Sequence, residues 1–561
     1  MNYRKQKVFT MVSAVTLSIA LLAGCSTNNA NQTTNNGGNN SVSTETNTPI
    51  DPMAKFDPPI ELTVGVAIGD AMADDFTEEK WENSVWIKAY RDELGIIIKP
   101  LWYTKGTDAG KQKMSVAIAS GDIPDLIGVS TEQLATLSRT NLYTDLSEVY
   151  ENYATSLTKG IITEEGNSAL ESATFGGKLI AIPGTNSAID GASFLWARQD
   201  WLDKLGLPAP KTTDELYTAI KAVVEQDPDG NGKDDTVGLM LNKDFLSPGL
   251  AEAIGLFNAF DAYPKTWVRG EDGKLVYGSA LPEVKDALSY LNKLYTEGLI
   301  EKDFAAKDSN KAAELAAAGR VGFNIGAMWN GMFPLQQTKD NFPDSNWLAN
   351  PIVSKDDQPA NPQIKLNVEN YYVMRSGYEH PEAIMKLINF WTELNYGDTP
   401  QEEYDKFLGP APAPGHHWTV AKAWKAQKNL QAHLKLKEAF KAGDTSKLNA
   451  EEKGYYDNIQ KYKDGDNANA QFEKVFGETG SFKSMNEYVT NNLFKMDEFY
   501  GASTDVMKNR LKTIEQAVIE YYTKVIMGSD SVNNFEKFVS QLNQLGLEEV
   551  TKEVNDWDAA K

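Results

Sequence analysis

From residue 227 to 238 the chain reads Asp-Pro-Asp-Gly-Asn-Gly-Lys-Asp-Asp-Thr-Val-Gly. Oxygen side chains stand at the first, third and fifth places (Asp227, Asp229, Asn231), a glycine at the sixth, the Lys233 carbonyl at the seventh and Asp235 at the ninth. This is the spacing of an EF-hand loop: a hard dication such as Ca²⁺ takes about six to eight oxygens, and alternating acids in a tight glycine turn supply them. The twelfth place, where a bidentate glutamate usually closes the shell, is Gly238, so Asp234 or a water is left to complete it. A structural Ca²⁺ is the expectation; the other reading is a polar turn between a helix and a strand.

The single cysteine, Cys25, stands at the end of an apolar run (residues 8–23) that follows Arg4, Lys5 and Lys7. The run is too short for a comfortable bilayer span, which needs about 20 apolar residues, and reads as a cleaved secretory signal over residues 1–24. Its ending, Leu22-Ala23-Gly24-Cys25, resembles the bacterial lipobox, which implies lipidation of Cys25, palmitate included, and a lipid anchor on the extracellular face of a bacterial membrane. The Asn/Thr/Ser-rich stretch that follows, residues 25–57, cannot bury a core and reads as a tether with a reach of roughly 30 Å.

Composition narrows the chemistry further. The chain has 561 residues and a formal net charge of −23, which disfavours a nucleic-acid partner. One cysteine and four histidines exclude a disulfide framework and leave little for a zinc centre. No nucleophile elbow, Walker loop, zincin helix or dinucleotide fingerprint is present.

The positioning elements follow from periodicity. Residues 61–68, 96–103 and 125–129 read as strands separated by helices over 83–94 and 110–119, which implies an α/β body with a mostly parallel sheet. Further on, 194–198 reads as a strand, with Asp200 placed to cap a helix over 201–206. Residues 214–225 and 281–297 read as helices, 321–325 and 370–374 as strands. From about residue 418 helical periodicity dominates, notably over 506–527 and 533–545.

Behind the lipobox come Ser120-Gly121-Asp122-Ile123-Pro124-Asp125, then Gly176-Gly177-Lys178-Leu179-Ile180-Ala181-Ile182-Pro183, then Trp196-Ala197-Arg198-Gln199-Asp200-Trp201-Leu202-Asp203-Lys204-Leu205-Gly206, and Gly319-Arg320-Val321-Gly322. In this order they resemble the family 1 extracellular solute-binding proteins, lipid-anchored receptors of ABC importers. The resemblance implies an α/β, two-lobe, periplasmic-binding-protein-like (type II) fold with discontinuous lobes and a helix-rich C-terminal part. By that analogy residues 58–188 and 351–407 form lobe 1, and 189–350 and 408–561 form lobe 2. It also implies a monomer without catalytic residues that captures a carbohydrate in an interlobe cleft and delivers it to the permease subunits of an ABC transporter. Relatives close a shortened form of the calcium loop with a neighbouring acid; here Thr236 follows Asp235.

A sugar ring has an apolar C–H face and a hydroxyl rim, so a receptor stacks it on aromatic rings and brackets it with planar polar groups. Trp329, just past an apolar run, is the first candidate, because open sheets bind ligands at strand ends. Trp418 lies on a Pro/Gly connection, Tyr103 ends a first-lobe strand, and Asn370 and Tyr371 lie by another. Trp196 and Arg198 alternate along a strand, and Trp267 lies in a polar segment. Only seven arginines follow Cys25, which points to a neutral oligosaccharide rather than a polyuronate. The rival readings are a lipid-anchored glycoside hydrolase, which needs two facing carboxylates, and a peptide receptor of the same fold.

Overall fold

Ile60, Leu62, Val64, Val66 and Ile68 alternate with more exposed neighbours and are buried, as in a strand that turns one side fully into a core. In the computed structural model, which describes residues 50–69, 72–409, 415–501 and 503–560, nine strands of this kind build the two main sheets. They are β1 (Ile60–Ile68), β2 (Ile96–Lys105), β3 (Leu126–Val129), β4 (Ile182–Thr185), β5 (Phe194–Arg198), β6 (Val237–Met240), β7 (Val321–Gly326), β8 (Trp347–Asn350) and β9 (Val368–Met374). The signal segment, Cys25 and the tether as far as residue 49 lie outside the described residues. Residues 50–57, expected to belong to the tether, instead pack on the first core: the Phe56 N–H donates to the Leu94 carbonyl and Lys386 Nζ donates to the Ala54 carbonyl.

The first sheet has the order β2-β1-β3-β9-β4. β1, β2 and β3 are parallel, joined through the helices Val85–Leu94 and Thr107–Ser120, whereas β9 runs antiparallel to both β3 and β4. The second sheet, β8-β5-β7-β6, is mostly antiparallel; only β6 and β7 are parallel. In the first sheet four of the five strands run in one direction, as expected, and β9 alone runs against them; the expectation is corrected at the antiparallel pairings β9 makes and in the second sheet. Strands contributed after a crossing enter from the opposite end.

Both faces of the second sheet are covered, which its alternation reports directly. Leu195 and Ala197 of β5 enter one core with the helices Thr213–Glu225, Val284–Thr296 and Asp505–Ile526, while Phe194 and Trp196 enter another with Lys428–Ala442, Ala450–Lys463 and Ser481–Thr490. Among the described residues no helix is long and apolar enough to cross a membrane.

Two expected boundaries move. Val353 packs in a core of the second sheet, so the chain stays there beyond residue 351 and rejoins the first core with β9. Phe407, Leu408, Ala421 and Ala423 all belong to the first core, and Trp418 and Val420 pack against it, so residues 415–423 stay with the first core rather than starting the second body. Apolar side chains on a coil segment carry no periodicity to show which core they enter.

Asp125 closes the Ser-Gly-Asp-Ile-Pro-Asp run and ties the first sheet together. Its carboxylate accepts from the Thr63 N–H (3.0 Å) and hydroxyl (2.6 Å) of β1 and from Arg375 Nε (3.1 Å) just after β9. Burial alone would raise this carboxyl, but the two Thr63 bonds and the Arg375 guanidinium outweigh it and hold it below the usual range. A depressed carboxyl stabilises the fold above its unfolded value of about 4 and loses that contribution as pH falls through its folded value. Asp125→Asn is therefore expected to lower the urea midpoint at pH 7, with the difference shrinking below about pH 4; a difference that stays constant with pH would assign the effect to shape.

Candidate functional site

The parallel strands β1 and β3 end at one edge of the first sheet, where β9 begins, and a cavity of about 550 Å³ opens there. Ligands of open α/β sheets bind beyond the C-terminal ends of such strands. The wall is formed by Val64 through Gly69, Gly128, Ser130 and Gln133, by Glu369, Asn370 and Tyr372 of β9, by Trp81 and Trp102, and by the returning segment from His416 to Lys422.

Trp102 owes its place to a defect in the β1–β2 ladder. Val64 pairs with Pro100 and Gly65 with Trp102, so Leu101 is the extra residue of a bulge and stands 54% exposed. The indole then lies directly on Gly65: a Cβ there would come within 2.2 Å of Trp102 Cζ2. Trp102 is half-buried, and a ring held flat against a strand with an open face is a stacking platform.

On the far wall Glu369 is anchored by Lys422 Nζ (3.0 Å) and by Trp424 Nε1 (3.1 Å), so it is both charge-compensated and fixed in direction. Tyr372 Oη accepts the Lys422 N–H (3.1 Å), which holds residues 419–422 over the site. Burial, then the neighbouring His417 and the lysines, push His416 down to about 3, and burial with Lys422 lowers His417, so both imidazoles are neutral acceptor–donor groups at physiological pH. Ser130 and Gln133 form a capping box, and Gln133 Nε2 also donates to the Lys111 carbonyl (2.9 Å). The described lining is thus amides, hydroxyls, neutral imidazoles, aromatic and apolar faces, the Glu369–Lys422 pair and the cation Lys111, with no arginine.

The structure divides the residues singled out by sequence. Asn370 lines the cavity. Tyr103 and Trp418 stand behind it in one aromatic cluster: Phe76 lies 5.7 Å from Tyr103 and 6.3 Å from Trp418, and Trp81 lies 6.0 Å from Tyr103. Tyr371 points to the other face of β9 and shares a hydrogen bond with Ser172 (2.8 Å). Trp196 is fully buried and donates to the Ala327 carbonyl; Arg198 is 5% exposed, paired bidentately with Asp200 and lying over Trp201. Trp267 sits on a short strand against Tyr277 and Phe499, 4% exposed, not in a polar loop. These last three belong to the core. Trp329, beyond β7, is 37% exposed with Phe333 beside it, and does not line the first-sheet cavity.

Trp81, Trp102, Tyr372 and the histidine pair escaped the sequence reading. For Trp102 a signal exists: Pro100 in a strand marks an edge or a bulge, and β2 is both an edge strand and bulged. For residues 416–422 none does, since their approach depends on a contact with β9.

The loop at 227–235 is the expected Ca²⁺ site. Asp227 Oδ1 and Thr236 Oγ1 are buried without a hydrogen-bond partner. The Asp229 carboxyl beside it and the Gly232 N–H hold Asp227 below the usual carboxylate range, while burial and Asp227 push Asp229 above it. Asn231 bridges Asp229 (2.8 Å) and Asp235 (3.0 Å). The donors are those of a hard cation. The closing ligand is missing for a structural reason: Gly238 lies on β6 inside the core, where a Cβ would meet Ile220 Cγ2 at 2.5 Å. Among the described residues no group of three acids or imidazoles converges.

A family model described as bacterial extracellular solute-binding protein matches residues 73–393. Lipoprotein LipO of Bacillus subtilis (strain 168) is 30% identical over 247 residues, which are 44% of this chain and 47% of that protein. The polygalacturonan/rhamnogalacturonan-binding protein YtcQ of the same strain is 29% identical over 225 residues, 39% of this chain and 43% of its own. The fructooligosaccharide ABC transporter substrate-binding protein FusA of Streptococcus pneumoniae serotype 4 (strain ATCC BAA-334 / TIGR4) is 29% identical over 214 residues, 36% and 38%. The chain thus spans less than half the length of these curated relatives. Among solved structures, an extracellular solute-binding protein from Bifidobacterium longum subsp. infantis superposes with a TM-score of 0.61 at 18% identity over 90% of this chain and 99% of its own. An EF-hand mutant of S. pneumoniae FusA in complex with fructo-nystose gives 0.56 at 16% identity over 90% and 100%. The fold of these neighbours is the two-lobe α/β fold.

The Gly65–Trp102 contact makes a prediction. Gly65→Ala is expected to cost about 1–3 kcal/mol in urea unfolding by overpacking, and adding Trp102→Ala should recover most of it; additive losses would show that the two residues do not press on each other.

Proposed function

We propose, from its membership of the bacterial extracellular solute-binding proteins, that this chain captures an oligosaccharide and hands it to the permease of an ABC importer. The observation that carries the reading is the first-sheet cavity: an aromatic platform, Trp102, faces amides, hydroxyls and neutral imidazoles at strand ends, which is the chemistry a sugar ring calls for. Trp329 on the second body supplies the opposing ring when the two bodies close. That one relative is a fructooligosaccharide-binding and another a polygalacturonan/rhamnogalacturonan-binding protein supports a carbohydrate.

The glycan is neutral. Glu369 and Lys422 cancel each other, Lys111 is a single ammonium, and a uronate chain would call for guanidinium clamps that the described lining lacks. Binding proceeds without turnover: Glu369 is the sole carboxylate of the described lining, and glycoside hydrolysis needs two. The lipobox at Cys25 supports cleavage after Gly24, acylation, and a lipid-anchored monomer at the extracellular face of a bacterial membrane.

The direct test is thermal unfolding of a form lacking residues 1–49, against fructo-, malto- and xylo-oligosaccharides, oligogalacturonides and peptides. A ligand at 100 times its Kd stabilises by about 2.7 kcal/mol, so one neutral glycan class is expected to raise Tm and be recovered uncleaved. Trp102→Ala should abolish the rise while keeping the unliganded Tm within a few degrees. Stabilisation by oligogalacturonides alone would overturn neutrality; by peptides alone, the carbohydrate reading.

The 227–235 loop holds a structural Ca²⁺ through Asp227, Asp229, Asn231, the Lys233 carbonyl and Asp235, and the metal supplies the positive charge that this acid cluster lacks. Ca²⁺ is expected to raise the wild-type Tm reversibly to EDTA and to leave Asp229→Ala unmoved; equal responses in both would mean the loop binds no metal.

A further inference from the structure

Glu252 is a carboxylate with 0% exposure and no cationic partner. One of its oxygens accepts from the Ser193 hydroxyl and the other from the Gly249 N–H at 3.1 Å, while its own N–H donates to the Ile325 carbonyl at the end of β7. Gly249 is the seat of Trp329: a Cβ there would lie 3.4 Å from Trp329 Cζ2, and its φ of +144° favours glycine. The Gly249 carbonyl in turn accepts from the Ala327 N–H (2.8 Å) and from Asn330 Nδ2 (2.9 Å), fixing the turn on both sides of the indole. Ser193 opens β5, soon after Asn186, whose N–H bonds the Asn367 carbonyl where two strands cross between the bodies side by side. One carboxylate therefore links the crossing strand to the floor under the exposed tryptophan.

We propose that Glu252 is a positioning residue whose ionised carboxylate holds Gly249 and so sets the orientation of Trp329, making the platform respond to pH. The proposal rests on the reading of Trp329 as a ligand-facing ring.

Glu252 does not earn its place as a stabiliser. Burial raises its carboxyl to about 7, against the lowering by Ser193 and Gly249. Between the unfolded value and pH 7 the folded chain then binds more protons than the unfolded one, so this group's contribution to stability falls as pH rises. The groups facing it are uncharged on every packed element: the Ser193 hydroxyl just before β5, the Gly249 amide on its own loop and the Ile325 carbonyl on β7. The neighbouring polar side chains of the network, Asn324 and Asn330, bond each other at 2.7 Å and do not titrate. A buried charge kept at a cost to the fold marks a site under another demand.

The test uses the protein labelled with 5-fluorotryptophan and no glycan, so that its outcome is independent of the carbohydrate reading. The ¹⁹F resonance of residue 329, identified by its loss in Trp329→Phe, is expected to titrate with a midpoint near pH 7 in the wild type. In Glu252→Gln it should be displaced and independent of pH, and that variant should melt at or above the wild-type temperature at pH 8, which a purely structural role would not allow. Should Glu252→Gln not fold, the wild-type titration decides alone. A resonance that stays constant from pH 5.5 to 8.5, or an unaltered titration in Glu252→Gln, overturns the proposal.

Discussion

Strand β9 carries hydrogen bonds to β3 on one side and to β4 on the other, so the first sheet is complete only when the chain has left it, built most of a second body and returned. The cavity inherits this dependence. Glu369, Asn370 and Tyr372 come from β9 itself, and the Tyr372 hydroxyl then captures residue 422, drawing the histidine pair over the opening. Asp125 fastens the other end of the same strand to β1 through Arg375 and Thr63. A site assembled across such separations has high loop-closure cost during folding and, once formed, couples the two bodies, because the segment leading into β9 crosses between them.

The chemistry of the cavity follows from burial more than from charge. In a chain with net charge −23, the described lining holds one carboxylate, tied to a lysine and an indole, and two imidazoles kept neutral by desolvation and nearby cations. What remains, apart from Lys111, is a set of directional neutral donors and acceptors around an aromatic face. Such a surface discriminates by hydroxyl geometry, since each unmatched polar group costs its desolvation.

The residues differ in how legible they were. β1, β5 and β7 announce themselves by apolar runs, and the motif Asp125 reads correctly as a strand entrance. Tyr103 was chosen where Trp102 does the facing, because a bulge at Leu101 shifts the alternation by one place and a one-residue slip exchanges the faces of a strand. Trp196, Arg198 and Trp267 are residue types suited to a ligand wall; the Asp200 partner of Arg198 stands two positions away, but the Ala327 carbonyl and Phe499, partners of Trp196 and Trp267, are distant in the chain and leave no local trace. The apolar side chains of residues 418–423 likewise find their neighbours in the first core only in three dimensions. The calcium loop shows the opposite case, where the defect at Gly238 was visible and the packed core around β6 supplies its cause.

The central claim is that a sugar ring stacks on Trp102 at the strand ends of the first sheet. A crystal structure with the stabilising oligosaccharide bound tests it most directly. The account predicts one pyranose or furanose ring parallel to the Trp102 indole, its hydroxyls bonded to Asn370 and the 416–422 segment, with Trp329 approaching from the second body. A glycan held elsewhere, for example in the groove lined by Phe175, Tyr500 and the Arg139–Asp505 pair, with the Trp102 face open to water, would contradict it.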